Sequence, residues 1–299
     1  MSMNKLGSVA QALGRLDEAQ TAYAEAEHLS RELIAEFGIT PERLRDLSVS
    51  LEKLGNVAQA LGRLDEAQAA YAEAERLSHQ LIAEFGATPE RLRDLSVSLE
   101  KLGNVAQVLG RMDEARASYA EGEHLHRALI GEFGTTPERL RDLSVSLEKL
   151  GNVAQALGRL DEAQAAYAEA ERLRRTLIGE FGTTPERLRD LSLSVGKLGS
   201  VAQALERMEN AKAAYTEQIS IAHSLLDTYG DSVAGLESLA HGEGRLGEVL
   251  QQGGADVAAQ PHLQKALELY QRLALAMPHE PRYAQSVQQI QDMQKIAIH

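Results

Sequence analysis

Along residues 88–134 the apolar positions keep helical spacing and then stop at glycine. Leu92, Leu95, Leu99, Leu102, Val105 and Leu109 follow at steps of three or four, one stripe along a helix. Thr88 and Pro89 predict its start, because Thr suits the N-cap and Pro fits the first helical position, where no N–H is needed. Gly110 predicts its end as a left-handed C-cap. A second stripe, Ala115, Tyr119, Leu125, Leu129 and Phe133, runs on to Gly134. Asp113 and Glu114 place acid in the first turn of that helix, where the helix dipole favours it. Two helices of about 20 residues, each about 30 Å long, joined by a short turn, predict an antiparallel hairpin.

The hairpin is written several times. Leu-Gly falls at Leu6-Gly7, Leu54-Gly55, Leu102-Gly103, Leu150-Gly151, Leu198-Gly199 and Leu246-Gly247, each step 48 residues. Segments 51–98 and 147–194 differ at only positions 78, 79, 80, 83, 87 and 97. Pro41, Pro89, Pro137, Pro185 and Pro281 keep the same period, with Val233 in the missing place. A fixed period of about 20–50 residues predicts a solenoid, each unit burying its apolar face against its neighbours. The expected organisation is one solenoid over 1–299, with units at 1–40 (first helix truncated), 41–88, 89–136, 137–184 and 185–230, a degenerate 231–280, and a cap helix at 281–299. Gly55, Ala58 and Ala67 sit where two helix axes must approach, with Tyr71 filling the space beside them.

These residues resemble the tetratricopeptide repeat. The match runs Leu51, Leu54, Gly55, Ala58, Gly62, Ala67, Tyr71 and Ala74, and it recurs in the units at Leu102 and Leu150 with Gly122 replacing the last Ala. The usual repeat has about 34 residues, so the extra length adds about two turns to each helix, as in kinesin light chain-type arrays. The resemblance implies an all-α, right-handed solenoid of about six stacked hairpins, a concave groove for peptides or proteins, and no catalysis of its own. Met1 falls midway through the first helix of its unit, which leads to the expectation of an array starting inside a longer one. Pro261 is expected to delay the second helix of the sixth unit. In the last stretch Tyr283, Val287, Ile290 and Ala297 form one apolar stripe among glutamines, the pattern of a solvating cap and of a native C-terminus.

Composition narrows the partner. The 31 Lys and Arg against 44 Asp and Glu leave a net charge of -13, a poor match to phosphate backbones, so no nucleic-acid partner is expected. There is no cysteine for a disulfide framework or thiolate zinc site, no signal-peptide core and no membrane-length apolar run, so a cytoplasmic chain is expected.

The resemblance places the first helix of each unit on the concave face. Carried over residue by residue, this gives three ladders. One is Arg45, Arg93, Arg141 and Arg189, and another is Lys53, Lys101, Lys149 and Lys197. The third is Asn56, Asn104 and Asn152, with Gln59, Gln107 and Gln155 beside it. An Asn amide both donates and accepts, so it can pair with a peptide backbone of any sequence. Arg and Lys favour carboxylates, which points to a protein or peptide partner of acidic character. The competing reading is a solvated face in which Glu52, Glu100 and Glu148 neutralise the lysines within or across units. Those glutamates also stand where the chaperone-tail carboxylate clamp of the family wants Lys.

No catalytic set, metal site or cofactor is expected. His124 and His126 point to different helix faces, and the histidines in general are expected as surface polar residues. The pairs Asp17-Glu18, Asp65-Glu66, Asp113-Glu114 and Asp161-Glu162 serve helix N-termini. The serines of Asp94-Leu95-Ser96-Val97-Ser98 lack a basic partner at useful spacing. His241-Gly242-Glu243-Gly244 reads as a weak spot or bend. The function expected is a protein-interaction scaffold binding an extended segment, the alternative being a sensor or oligomerisation arm of a larger multidomain signalling protein.

Overall fold

The structure, a computed structural model, describes residues 3–296. Met1 and Ala297, for which the sequence raised expectations, lie outside them. Thirteen α-helices and no strand occur among the described residues. They are α1 (Met3–Ala12), α2 (Leu16–Phe37), α3 (Pro41–Ala60), α4 (Leu64–Phe85), α5 (Pro89–Val108), α6 (Met112–Phe133) and α7 (Pro137–Ala156), followed by α8 (Leu160–Phe181), α9 (Pro185–Ala204), α10 (Met208–Tyr229), α11 (Val233–Gln252), α12 (Asp256–Ala276) and α13 (Pro281–Ile296). From α3 to α10 the lengths alternate between 20 and 22 residues. The fold class is an all-α helical-repeat solenoid.

The ends of the helices follow from local chemistry. The hydroxyls of Thr40, Thr88 and Thr184 accept the N–H of Arg43, Arg91 and Arg187, each with Pro at the first helical position. At the other end of α5, Arg111 N–H bonds Ala106 C=O at 2.8 Å and Gly110 N–H bonds Gln107 C=O at 3.1 Å. This is the Schellman pattern, and Gly110 takes the left-handed φ of +74° that it requires. Arg91 closes the preceding junction, between α4 and α5, by donating to the carbonyls of Phe85 and Gly86, at 2.6 and 2.8 Å. Carbonyls that a helix end would leave orphaned are thus satisfied by the loop.

The chain divides into two compact units, one ending at Val153 and the other beginning at Ala154. In the first, Leu44, Leu47 and Leu51 of α3 pack with Ala74, Leu77 and Leu81 of α4. Ala58, Ala67 and Tyr71 close with Val105 of α5, so one hairpin completes its core only with the next. A Cβ on Gly55 would lie 2.5 Å from Tyr71 Cε1, which accounts for the small residue there. Gly122 of α6 is the opposite case, with nothing within 4 Å of where a Cβ would stand. Gly122→Ala, restoring the residue of positions 74 and 170, is expected to raise unfolding stability by about 0.5–1 kcal/mol through helix propensity, checked by urea denaturation.

In the second unit, Ala202, Ala211 and Tyr215 pack with Leu246 and Val249, and Leu263 and Ala266 of α12 with Ile290 of α13. Two expectations fail here. Helix α12 does not start late: it begins at Asp256 with Pro261 inside it. The carbonyl that Pro261 leaves without its N–H belongs to Val257, a residue 90% exposed, so water can take the bond. Nor is 241–244 a bend, because α11 runs unbroken through it. A Cβ at Gly242 would come 2.9 Å from Ile219, and one at Gly244 3.1 Å from Ile290, so these glycines admit close neighbours.

Candidate functional site

Each leading helix lays one cation over the tyrosine of the hairpin before it. Lys53 stands 5.3 Å from the ring centroid of Tyr23, and Lys101 and Lys149 stand 5.5 Å from those of Tyr71 and Tyr119. In the second unit Lys197 stands 5.4 Å over Tyr167 and Arg245 5.9 Å over Tyr215. The ammonium groups sit on the negative ring faces, which fixes their long flexible stems. Burial, then the charge of Glu52 or Glu100, pushes the Tyr71 and Tyr119 hydroxyls well above their ordinary range, so these remain neutral donors.

Those hydroxyls reach the predicted amides. The single Tyr71 proton is shared between Asn56 Oδ1 at 2.8 Å and Gln59 Oε1 at 3.2 Å. Tyr119 does the same with Asn104 and Gln107, at 2.8 and 3.2 Å. Lys149 also donates to Asn104 Oδ1 at 2.6 Å, and Tyr167 donates to Gln155 Oε1 at 3.1 Å. The amide oxygens that sequence reasoning offered to a ligand are therefore engaged inside the hairpins. Asn152 is half-buried at the equivalent place on α7.

The charged ladders are cross-linked between successive leading helices. Arg45 Nε lies 2.8 Å from Asp94, which raises the guanidinium pKa, and Arg93 Nε lies 3.9 Å from Asp142. Lys101 meets Glu52 and Lys149 meets Glu100, each at 3.3 Å, which is the across-unit neutralisation weighed above. Lys53 instead donates to Ser8 Oγ at 2.8 Å. Arg141 and Arg189 are exposed at the matching positions of α7 and α9.

Between α3 and α5 a crevice of about 70 Å³ is lined by Arg45, Val49, Glu52, Asp94 and Val97. The matching place between α9 and α11 is a cavity of about 800 Å³, lined by Arg189, Leu193, Gly196, Ser238 and His241. Lys197, Gln218, Tyr270 and Arg282 add to its wall. Sequence reasoning named Arg189, Lys197 and Gln155 here and missed the others. The available signal was departure from the 48-residue pattern at 196, 238 and 241.

The histidines are not all surface residues. His126 is 6% exposed and its Nδ1 has no hydrogen-bond partner among the described residues. Burial holds its pKa below the ordinary value, against the charges of Asp142 and Glu100. His241 Nδ1 lies 3.2 Å from Gln218 Oε1, and burial followed by Arg245 and Lys197 lowers its pKa to about 4. On the exposed face of the first unit, Glu75, His79 and Glu121 bring three ligand atoms within 4.8 Å of one another. They could hold a divalent cation, yet His79 Nε2, 3.0 Å from each carboxylate, satisfies the same geometry by itself.

A family model described as tetratricopeptide repeat matches residues 2–32, 50–79, 146–177 and 194–223. The chain is a tetratricopeptide-repeat protein. In the two hairpins matched at 50–79 and 146–177, the unmatched length lies at the Thr-Pro end, where the arginine ladder stands. The repeats make it a protein-interaction scaffold. Among solved structures it is similar to BtubC (BKLC) from P. vanneervenii, at TM-score 0.63 and 18% identity over 89% of this chain and 93% of that one. It is similar to a Podosopora anserina chain of nearly identical TPR-like repeats, described as a kinesin light chain, at TM-score 0.54 and 18% identity over 77% and 96%. The apo form of RapI matches at TM-score 0.58 and 12% identity over 99% and 96%. These likenesses concern the fold. No curated protein matches the sequence at a significant level. Among the described residues no helix of this tetratricopeptide-repeat chain is long and apolar enough to cross a membrane.

Proposed function

We propose that the scaffold binds an extended segment of a partner protein along its leading helices, α3 and α5 in the first unit and α9 and α11 in the second. The observation that carries this reading is the recurrence of one crevice, at matching positions of both units, beside cations fixed over tyrosine rings. Groups held in place before binding lose little freedom on binding, which favours recognition of a flexible chain. Arg and Lys along the crevices favour carboxylates over cations in that chain. The test is selection of binders from a library of random octapeptides, followed by hydrogen exchange of the complexes. Slowed exchange on the leading helices supports the reading. Slowed exchange confined to the trailing helices, or the absence of any binder, defeats it.

A further inference from the structure

In the first unit successive leading helices close their own charges. An arginine and an aspartate 49 residues apart form the first rungs, Arg45 with Asp94 and Arg93 with Asp142. The residue 49 after Arg189 is Ser238, which is 7% exposed and whose hydroxyl is bonded to Ser192. A second rung breaks beside it. Lys101 and Lys149 meet glutamates 49 residues earlier, whereas the residue 49 before Arg245 is Gly196. Arg245 turns instead to Glu248 on its own helix, at 2.6 Å.

Two carboxylates that occupy the crevice elsewhere are therefore missing at one place. The space between α9 and α11 is about 800 Å³ where the crevice between α3 and α5 holds about 70 Å³. Helix α13 provides a wall through Arg282, whose charge is met by Glu237 at 2.8 Å. Arg189 thus faces the cavity without the aspartate that meets the arginine of the earlier rungs, in a chain of net charge -13. The distant negative charge is screened beyond about 8 Å at physiological salt, so the guanidinium of Arg189 governs a ligand already in contact. A volume of this size falls in the ordinary range of ligand pockets, about 300–1,000 Å³.

We propose that Arg189 and the cavity beside it bind a carboxylate carried by an extended peptide, which takes the place that Asp94 and Asp142 fill in the earlier rungs. This rests on the scaffold reading above and names the chemistry it selects. The guanidinium offers two parallel N–H donors to one carboxylate. Leu193 and Tyr270 on the cavity wall give apolar surface for the residues flanking that group.

The test compares the intact chain with Arg189→Ala, Ser238→Asp and Arg172→Ala in selections from a random octapeptide library, one arm with amidated and one with free C-termini. Ser238→Asp rebuilds the closed rung, and the exposed Arg189→Ala leaves the buried helix contacts in place. The expected result is enrichment of Asp or Glu over Asn or Gln by about tenfold at one position, the size a charged hydrogen bond supplies. Both Arg189→Ala and Ser238→Asp bring that preference to background, while Arg172→Ala, an exposed arginine of the trailing helix α8, leaves it. Enrichment restricted to free C-termini, with the same response to the variants, supports the site and assigns the carboxylate to a chain end. Acid enrichment that survives both substitutions overturns the proposal. Octapeptides bound without acid preference overturn it while leaving the scaffold standing, and no bound octapeptide in either arm removes both.

Discussion

Replacing Tyr71 with alanine lowers the free energy of unfolding by about 3–5 kcal/mol, the range for deleting a buried aromatic ring. Its ring is fully buried, packed with Ala58, Ala67 and Val105 and set against the bare backbone of Gly55. The buried neighbours Ala58 and Ala67 are too small to fill the space, so most of the cavity persists. Tyr71→Phe keeps the ring and loses only the proton shared by Asn56 and Gln59, a loss of about 1 kcal/mol. Urea titrations of the two variants separate packing from hydrogen bonding. Hydrogen exchange should locate the damage in α3, α4 and α5, because each hairpin leans only on its neighbours. Equal costs for the two variants would show that the ring is not what fills the hairpin.

Lowering the pH from about 7.5 to about 5 is expected to reduce stability by about 2 kcal/mol through His241 alone. The folded chain holds its pKa at about 4, while an unfolded histidine titrates near about 6.5. Between those values the unfolded chain binds the proton and the folded chain does not. The contribution is therefore complete above about pH 6.5 and falls by about 1.4 kcal/mol for each unit below it. Arg245 and Lys197 face the ring and add to the burial in resisting a further positive charge. His126, buried in the first unit, acts in the same direction. His241→Val installs the residue of Val49, Val97 and Val145 and should flatten the profile by that slope, read from urea midpoints at the two pH values. An unchanged profile in the variant would place the acid sensitivity elsewhere.

The helices were legible because their signals are local and repeated. Leu92 to Leu109, the Thr88-Pro89 start and the Gly110 end each depend on a few adjacent residues, and the 48-residue period multiplies the signal. Pro261 misled because the effect of its missing N–H depends on whether Val257 can reach water, which is a property of the packed chain. His126 misled for a similar reason: its counterparts Ser78 and Arg174 are polar too, yet all three are buried in hairpin interiors. The amides of Asn56 and Asn104 were placed on the right helix, but the tyrosine that claims each oxygen lies 15 residues later and meets it only when the hairpin closes. The cavity beside Arg189 was invisible to a search for recurring residues. It lies where Gly196 and Ser238 break the recurrence.

Helices α3 and α7 are identical in sequence, and α5 departs from both only at Val108. An intervening hairpin can therefore be removed as a 48-residue block, joining Thr88 to Pro137, without presenting α4 with an unfamiliar neighbour. The middle of the molecule behaves as an interchangeable stock of modules. The last hairpin, with glycines matched to Ile219 and Ile290, is fitted to one address and cannot be dealt out in the same way. Reach is adjustable in such a protein, while the end that carries the distinctive chemistry stays fixed.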